Sequence, residues 1–200
     1  MIMARTNIVR TSIKTLVYYF ALLLTAPFGG AARLCIFWGS EGLFHSLATF
    51  LSLIPGKIGS SMRVAFYRWT LQNCHRDVSI GFGTFFSKSS AKVGRNVTIG
   101  AYCIIGSVEL GNDTRLASRC SIPSGRHQHH YAYESGKRVH TKMEYKRIVI
   151  GERSWIGEGA IVMADIGDDC IVGAGSVVTH SVLDNEVVAG NPARTIKRQG

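Results

Sequence analysis

Negative charge is scarce at the front of this chain. Residues 1–76 contain one acid, Glu41, against eight Lys and Arg, so +7 of the formal net charge of +10 lies there. The remainder, residues 77–200, sets 15 basic against 12 acidic residues. A nucleic-acid reader would carry a basic face together with a recognisable motif. No such motif is present, and nucleic acid is not expected as a partner. Charge of either sign is missing from Thr15 to Ala32, and between Leu34 and Gly56 Glu41 is the one charged residue. Uncharged runs near 18 residues lie at the lower edge of what crosses a hydrocarbon core of roughly 30 Å. Basic residues beside such runs suit an anionic membrane surface. A cleaved signal peptide is not expected, because more apolar sequence follows the first run where a polar mature start should be. Cysteine is sparse and unmatched: Cys35, Cys74, Cys103, Cys120 and Cys170 are odd in number and include no CxxC pair. That argues against a disulfide framework or a zinc knuckle, and for small buried side chains in a reducing compartment.

The apolar front, residues 1–76, is expected to be a membrane-associated helical region. Pro27-Phe28-Gly29-Gly30 is the natural break of a hairpin whose two helices enter and leave on one side. A re-entrant or interfacial arrangement accommodates Pro27, Glu41 and His45 as well, and a buried soluble helical pair is the remaining alternative. The segment KIGSSMRVAFYRWTL aligns Met62, Phe66 and Trp69 on one helical face, with Arg63 and Arg68 elsewhere. This is the pattern of an interfacial helix, or of a connector packed on the next domain.

From residue 78 the pattern changes. An aliphatic residue, Gly, two variable residues and a small or β-branched residue recur in IGFGT (80–84), VGRNV (93–97), IGAYC (99–103), IGERS (150–154), IGEGA (156–160), IGDDC (166–170) and VGAGS (172–176). A helix does not tolerate that density of Gly. A fixed period of six predicts a parallel β-helix, whose coils bury their aliphatic ladders by stacking. Two places break the period. Val162 to Ile166 is four residues, so MADIG must turn a tight corner. Between Ile122 and Ile148 the repeat stops for an excursion, residues 123–147, which opens with SGRHQHH.

The repeat, together with WIGEGAIVMADIG, IVGAGSVVTHSV and VVAGNPARTIK, resembles the hexapeptide-repeat acyltransferases over residues 77–200. The form WIGEGAIVMADIG is most similar to the O-acetyltransferases of exopolysaccharide and lipopolysaccharide synthesis. The resemblance implies a mainly β chain whose parallel β-helix is left-handed, and a homotrimer. It implies acetyl-CoA as donor substrate in the cleft between neighbouring prisms, and a loop that carries a catalytic histidine into that cleft. With the membrane-seeking front, it implies a sugar or lipid-linked glycan as acceptor at the cytoplasmic membrane, the catalytic domain facing the cytoplasm. Amino-sugar N-acetylation and a non-catalytic membrane-bound scaffold are the alternatives.

Histidine is the residue this chemistry calls for. An alcohol attacks a thioester at neutral pH once a base takes its proton, and an imidazole does this near neutrality. The family's base stands just after the last hexapeptide before the loop, which points to His127, then His129, then His130. Within the loop, Tyr131, Tyr133 and Glu134 are candidate acceptor contacts. Trp155 walls the site or packs the returning loop, and Glu158 is near the acceptor or is a solvated turn residue. The resemblance places the donor at Gly157, Gly173, Ala174, Gly175 and Thr179. His180 stands where many relatives have Lys, a departure that Arg194, Lys197 and Arg198 would offset by charge. No metal is expected: zinc sites on such prisms use a histidine pair four residues apart, and His127, His129, His130 and His140 offer no such spacing. Cys120 belongs to the wall and is not a nucleophile.

Overall fold

The structure, a computed structural model, describes residues 2–124, 131–134, 137–140 and 146–199, with side chains for 15–124 and 146–199. Three helices lead: α1 (Ile2–Phe37), α2 (Gly42–Ser52) and α3 (Gly56–Thr70). The β-helix follows as about five turns of short strands. Its first coil holds β1 (Asn73–Cys74), β2 (Ser79–Ile80) and β3 (Phe85–Phe86). The second holds β4 (Lys92–Val93), β5 (Thr98–Ile99) and β6 (Ile104–Ile105). The third holds β7 (Val108–Leu110), β8 (Arg115–Leu116) and β9 (Ser121–Ile122). The excursion contributes the strands β10 (Tyr131–Glu134) and β11 (Lys137–His140). The stack then resumes with β12 (Ile148–Ile150), β13 (Trp155–Ile156), β14 (Ile161–Val162), β15 (Ile171–Val172) and β16 (Val177–Val178). It ends in β17 (Glu186–Gly190) and β18 (Ala193–Arg198), which turns back antiparallel on β17.

Three parallel sheets result, one per face. The first face runs β1-β4-β7-β12 and continues through single bridges at Ile166 and Val182. The second runs from β2 to β17 and the third from β3 to β16. The second residue of nearly every strand points inward, so the repeat's aliphatic position becomes three ladders. Val93–Leu110–Ile150, Ile80–Ile99–Leu116–Ile156–Val172–Val188 and Phe86–Ile105–Ile122–Val162–Val178 are all buried. Each such side chain contributes about 1.5–3 kcal/mol on burial. The bridges Ile150↔Ile166 and Ile166↔Val182 bear out the tight corner expected at MADIG. Cys103, Cys120 and Cys170 sit at the small inward position, and Cys74 is buried too. All five cysteines are free thiols.

The front departs from the expected hairpin. α1 runs unbroken through Pro27–Gly30, and the chain turns instead at Gly39–Glu41. α2 has 11 residues, about 16 Å at 1.5 Å per residue, and is too short to return across a bilayer. The reason lies in packing. Ala21, Thr25, Gly29 and Ala32 form the buried stripe of α1, and α3 lies on it. A Cβ on Gly29 would stand 2.6 Å from Trp69 Cβ, so this glycine is a place of close approach and not a helix end. Leu22 O, in the turn before Pro27, accepts from the Trp69 indole N–H at 3.4 Å and from Thr25 Oγ1 at 3.3 Å.

α3 closes the bottom of the stack. Arg63, which the helical pattern places away from the apolar face, is 1% exposed. Its guanidinium donates to the Ile80 carbonyl at 2.9 and 3.2 Å, and to the carbonyls of Leu51, Ser52 and Ile54 at 2.8–3.3 Å. Tyr67 accepts the Phe86 N–H at 3.1 Å and packs edge-on against the Phe86 ring. Phe44, Phe66 and Leu71 continue the core.

Glu41 is the second clasp. Its carboxylate accepts from Ser89 N–H (3.0 Å), Ser89 Oγ (2.7 Å) and Lys88 Nζ (2.9 Å). Burial alone would raise its pKa, but the bonds from Ser89 and Lys88 outweigh that and hold it below the ordinary 4.5. A carboxyl depressed in the folded state stabilises fully above its unfolded pKa and loses that contribution as pH falls through the folded value. The wild-type melting temperature is therefore expected to fall as pH drops below 4.5 more steeply than that of Glu41→Gln, measured by circular dichroism. Parallel acid slopes in the two proteins would place the linkage elsewhere.

Candidate active site

The excursion leaves from the corner between the third and first faces. Ser124, 2% exposed, accepts the Ser107 N–H on its Oγ at 2.8 Å, and Ser90 Oγ donates to Ser107 Oγ at 2.9 Å. A column of serines in three successive coils thus holds the outgoing foot. Arg147 holds the returning foot, with Nη2 at 2.6 Å from Gln72 Oε1 and 2.9 Å from Ser90 O. Lys146 lies 3.8 Å from Asp165, whose other oxygen accepts the Val149 N–H at 2.9 Å. The ladders pass the interruption intact: Ile148 pairs Val108 and Ile161 pairs Ser121. The prism is therefore continuous behind the excursion.

Within the excursion, β10 and β11 form an antiparallel hairpin with Tyr131 opposite His140 and Glu134 opposite Lys137. His127, His129 and His130 lie outside the described residues. The side chains of Tyr131, Tyr133 and Glu134 lie outside them too.

The other expected site residues fall on two different edges. Thr179 and His180 occupy the same corner as the excursion, two coils further along, with Thr179 Oγ1 2.9 Å from His180 Nδ1. At a strand spacing of about 4.8 Å, that is roughly 10 Å from the outgoing foot. His180 and Arg194 line one shallow cavity of about 190 Å³, together with Ser181, Glu186 and Thr195. Lys197 stands opposite Val187 on β18, outside that lining. Arg198 is committed to Glu186 at 3.0 Å, which leaves Arg194 and Lys197 as the tail's cations for a phosphate.

Gly157, Glu158 and the Gly173–Ala174–Gly175 turn lie on the next edge, between the second and third faces. A Cβ on Gly157 would fall 2.5 Å from Ala174 N and 2.7 Å from Val172 O, so its first role is to let coils approach. Gly175 has φ +68° and open space around it, the left-handed turn that Gly adopts without cost. Its N–H is engaged with Glu158 O at 2.8 Å, and that of Gly173 with Val188 O at 2.8 Å. Gly157→Ala is expected to destabilise the prism by about 1–3 kcal/mol through overpacking, read as a lower denaturation midpoint. An unchanged midpoint would mean the coils give way freely.

Trp155 is on the second face, outward and 46% exposed, in register with Arg115 and Ile171. That face lies across the prism from the excursion's corner. Glu158 is ion-paired to Arg119 at 2.7 Å, a solvated turn contact. Cys120 is 1% exposed, with Sγ 3.2 Å from Gly157 O. The neighbouring Cys103 thiol, and then burial, push its own thiol up, so it is no source of a thiolate nucleophile.

Glu186 is the residue that the sequence pattern passed over. It is 7% exposed, and its carboxylate takes the Leu183 N–H at 3.2 Å as well as Arg198. The signal was there: Glu186 follows Ser154 and Cys170 at the same 16-residue interval, an acid at a small inward position in the last coil.

The family pattern described as the hexapeptide repeat of succinyl-transferase matches residues 91–118 and 147–180. WbbJ of Escherichia coli K12, designated an O-acetyl transferase of lipopolysaccharide biosynthesis, is 35% identical over 127 residues, 60% of this chain and 63% of that protein. Galactoside O-acetyltransferase of the same organism is 32% identical over 45% of this chain and 43% of its own. The chain thus spans less than two thirds of either. WcaF of Escherichia coli K12, designated a colanic acid biosynthesis acetyltransferase, is 27% identical over 81% of this chain and 80% of its own. In structure, a maltose O-acetyltransferase from Clostridium difficile 630 overlays with a TM-score of 0.62 at 24% identity. It covers 78% of this chain and 85% of that one, a likeness of fold.

Proposed function

We propose, from the premise that this chain belongs to the hexapeptide-repeat acyltransferase family, that it is an O-acetyltransferase of exopolysaccharide or lipopolysaccharide synthesis at the cytoplasmic membrane. It moves acetyl from acetyl-CoA to a sugar hydroxyl. The observation that carries this reading is the excursion itself: an intact stack extrudes, between two fastened feet, the one stretch that gathers three histidines within four residues. WbbJ and WcaF, by their designations, act in lipopolysaccharide and colanic acid biosynthesis, which supports a glycan acceptor.

In the mechanism, His127 takes the proton of the acceptor hydroxyl as its oxygen attacks the thioester carbon. The tetrahedral oxyanion is met by a backbone N–H. Collapse breaks the carbon–sulfur bond, and the imidazolium returns its proton to the CoA thiolate. His129 is the second candidate for the base. Gly173–Gly175 and Thr179 border the pantetheine arm, and His180, Arg194 and Lys197 face the nucleotide end. Trp155 lies across the prism from the corner at which the excursion leaves. The site is therefore completed between copies, the excursion of one chain meeting the second face of another, as a homotrimer allows.

The test is CoA release from acetyl-CoA by the full chain in lipid, with and without a polysaccharide extract from its host. Extract-dependent release supports the transferase. No release, together with no acetyl-CoA binding by calorimetry, overturns it in favour of a scaffold. Release that requires an amino sugar would move the reaction to N-acetylation.

A further inference from the structure

α1 carries a 23-residue apolar stretch, Thr15–Phe37, with mean hydropathy 1.7, most of it not buried. Its two sides differ. The buried residues Ala21, Thr25, Gly29 and Ala32 fall on one helical line against α3. At 100° per residue the opposite line holds Leu16, Phe20, Leu23 and Leu34, which are 73%, 67%, 74% and 52% exposed. Phe37 and Trp38 extend it at 83% and 74%. An unbroken apolar stripe of this length marks an interaction surface.

The helix is held to the rest of the protein along its length. Near one end Tyr18 packs on the core cluster, within electrostatic reach of Arg68 and Arg76. In the middle Gly29 receives Trp69, and near the other end Ile36 packs on the same cluster. α1 is thus laid along α3 and the first coil, not held by one end. An α1 upright in a bilayer would carry α3 into the hydrocarbon beside it, with exposed Lys57 and Arg68 and with Gln72 and Arg76 of the first coil. Lipid-facing charges at that depth are strongly disfavoured.

We infer that α1 is an in-plane, monotopic anchor. Its Leu16–Phe20–Leu23–Leu34 stripe lies in the headgroup–acyl boundary of an anionic bilayer and holds the β-helix against one leaflet. Charge selects lipid over a second copy of the chain. Arg33, Lys57 and Arg68 are exposed around the stripe, Arg76 pairs with Asp77 at 3.6 Å, and Glu41, the acid of the helical region, is tied to Lys88. Two such faces pressed together would oppose cation to cation, whereas anionic headgroups neutralise them. A glycan acceptor tethered to lipid would then meet a prism held at a set height. This inference deepens the membrane location proposed above and rests on it.

The test uses the full chain in a Cys35→Ser background, with spin labels at Leu16→Cys or Leu34→Cys. Flotation is measured with phosphatidylcholine vesicles, with and without phosphatidylglycerol, and label depth by oxygen and nickel accessibility. The expected result is anionic-lipid-dependent flotation with both labels at one shallow depth, about 5–10 Å below the headgroups. A Phe20→Asp, Leu23→Asp pair is expected to weaken vesicle binding at least ~10-fold. Flotation with the labels in opposite leaflets would overturn the in-plane anchor and leave the membrane location standing. Failure to float, with the labels shielded in a soluble dimer, would overturn both.

Discussion

His127→Ala is expected to lower extract-dependent CoA release by about 10²- to 10⁴-fold, the usual contribution of a positioned general base. Calorimetric binding of acetyl-CoA is expected to stay within about twofold, because the base acts on the acceptor's proton and not on the donor's grip. His129→Ala is the matched control, expected to cost less than tenfold if it only neighbours the base. The reverse order would move the base two residues along without touching the reaction class. Full activity in both, and in His130→Ala, would remove the excursion from the chemistry. The prism should be indifferent to these changes, since its ladders close behind the excursion at Ile148 and Ile161.

Arg63→Met is expected to have the largest effect on stability. The methionine keeps much of the buried volume but donates nothing to the carbonyls of Leu51, Ser52, Ile54 and Ile80. Leu51 and Ser52 each have a second donor, the N–H groups of Ile54 and Gly83, so the loss falls chiefly on Ile54 and Ile80. Buried acceptors left without partners cost about 1–3 kcal/mol each. With the packing change the total is about 3–5 kcal/mol, a fall in melting temperature on the order of 10 °C for a chain this long. Coils of a solenoid interact with their neighbours alone. The loss should therefore appear as early release of the helices from the first coil, seen as protease cleavage near Gly39–Glu41 before the β signal melts. A melting point within 2 °C of wild type would mean that water replaces the guanidinium.

The two halves of the molecule were not equally legible. In the β-helix every inward residue follows from its place in a repeat. The tight corner at MADIG and the buried cysteines follow from the same spacing, and the structure bears these out. Even Glu186 is written in the 16-residue interval, which the six-residue period by itself does not show. The helical front carries no such internal check. Pro27 and Gly29–Gly30 look like a break by local propensity, and Arg63 looks like a surface residue by helical phase. Both expectations fail because a partner surface intervenes: Trp69 fills the space over Gly29, and the carbonyls at the end of α2 and on β2 take up a buried guanidinium.

The candidate site shows the same division. The interruption after Ile122 and its histidines are visible in one line of sequence, and so are the Gly-rich late coils. That Trp155 lies across the prism from the excursion's feet is not, because position around a coil depends on the cumulative turn of the preceding residues. By itself the sequence determined the coil, its inward aliphatic positions and the place where the stack is interrupted, since a short period writes each residue's neighbours into its own spacing. Only the tertiary structure decided which line of α1 faces the protein and which faces outward, and that Arg63 is interior. Those outcomes depend on three helices closing over the first coil, contacts between distant segments that no local period encodes.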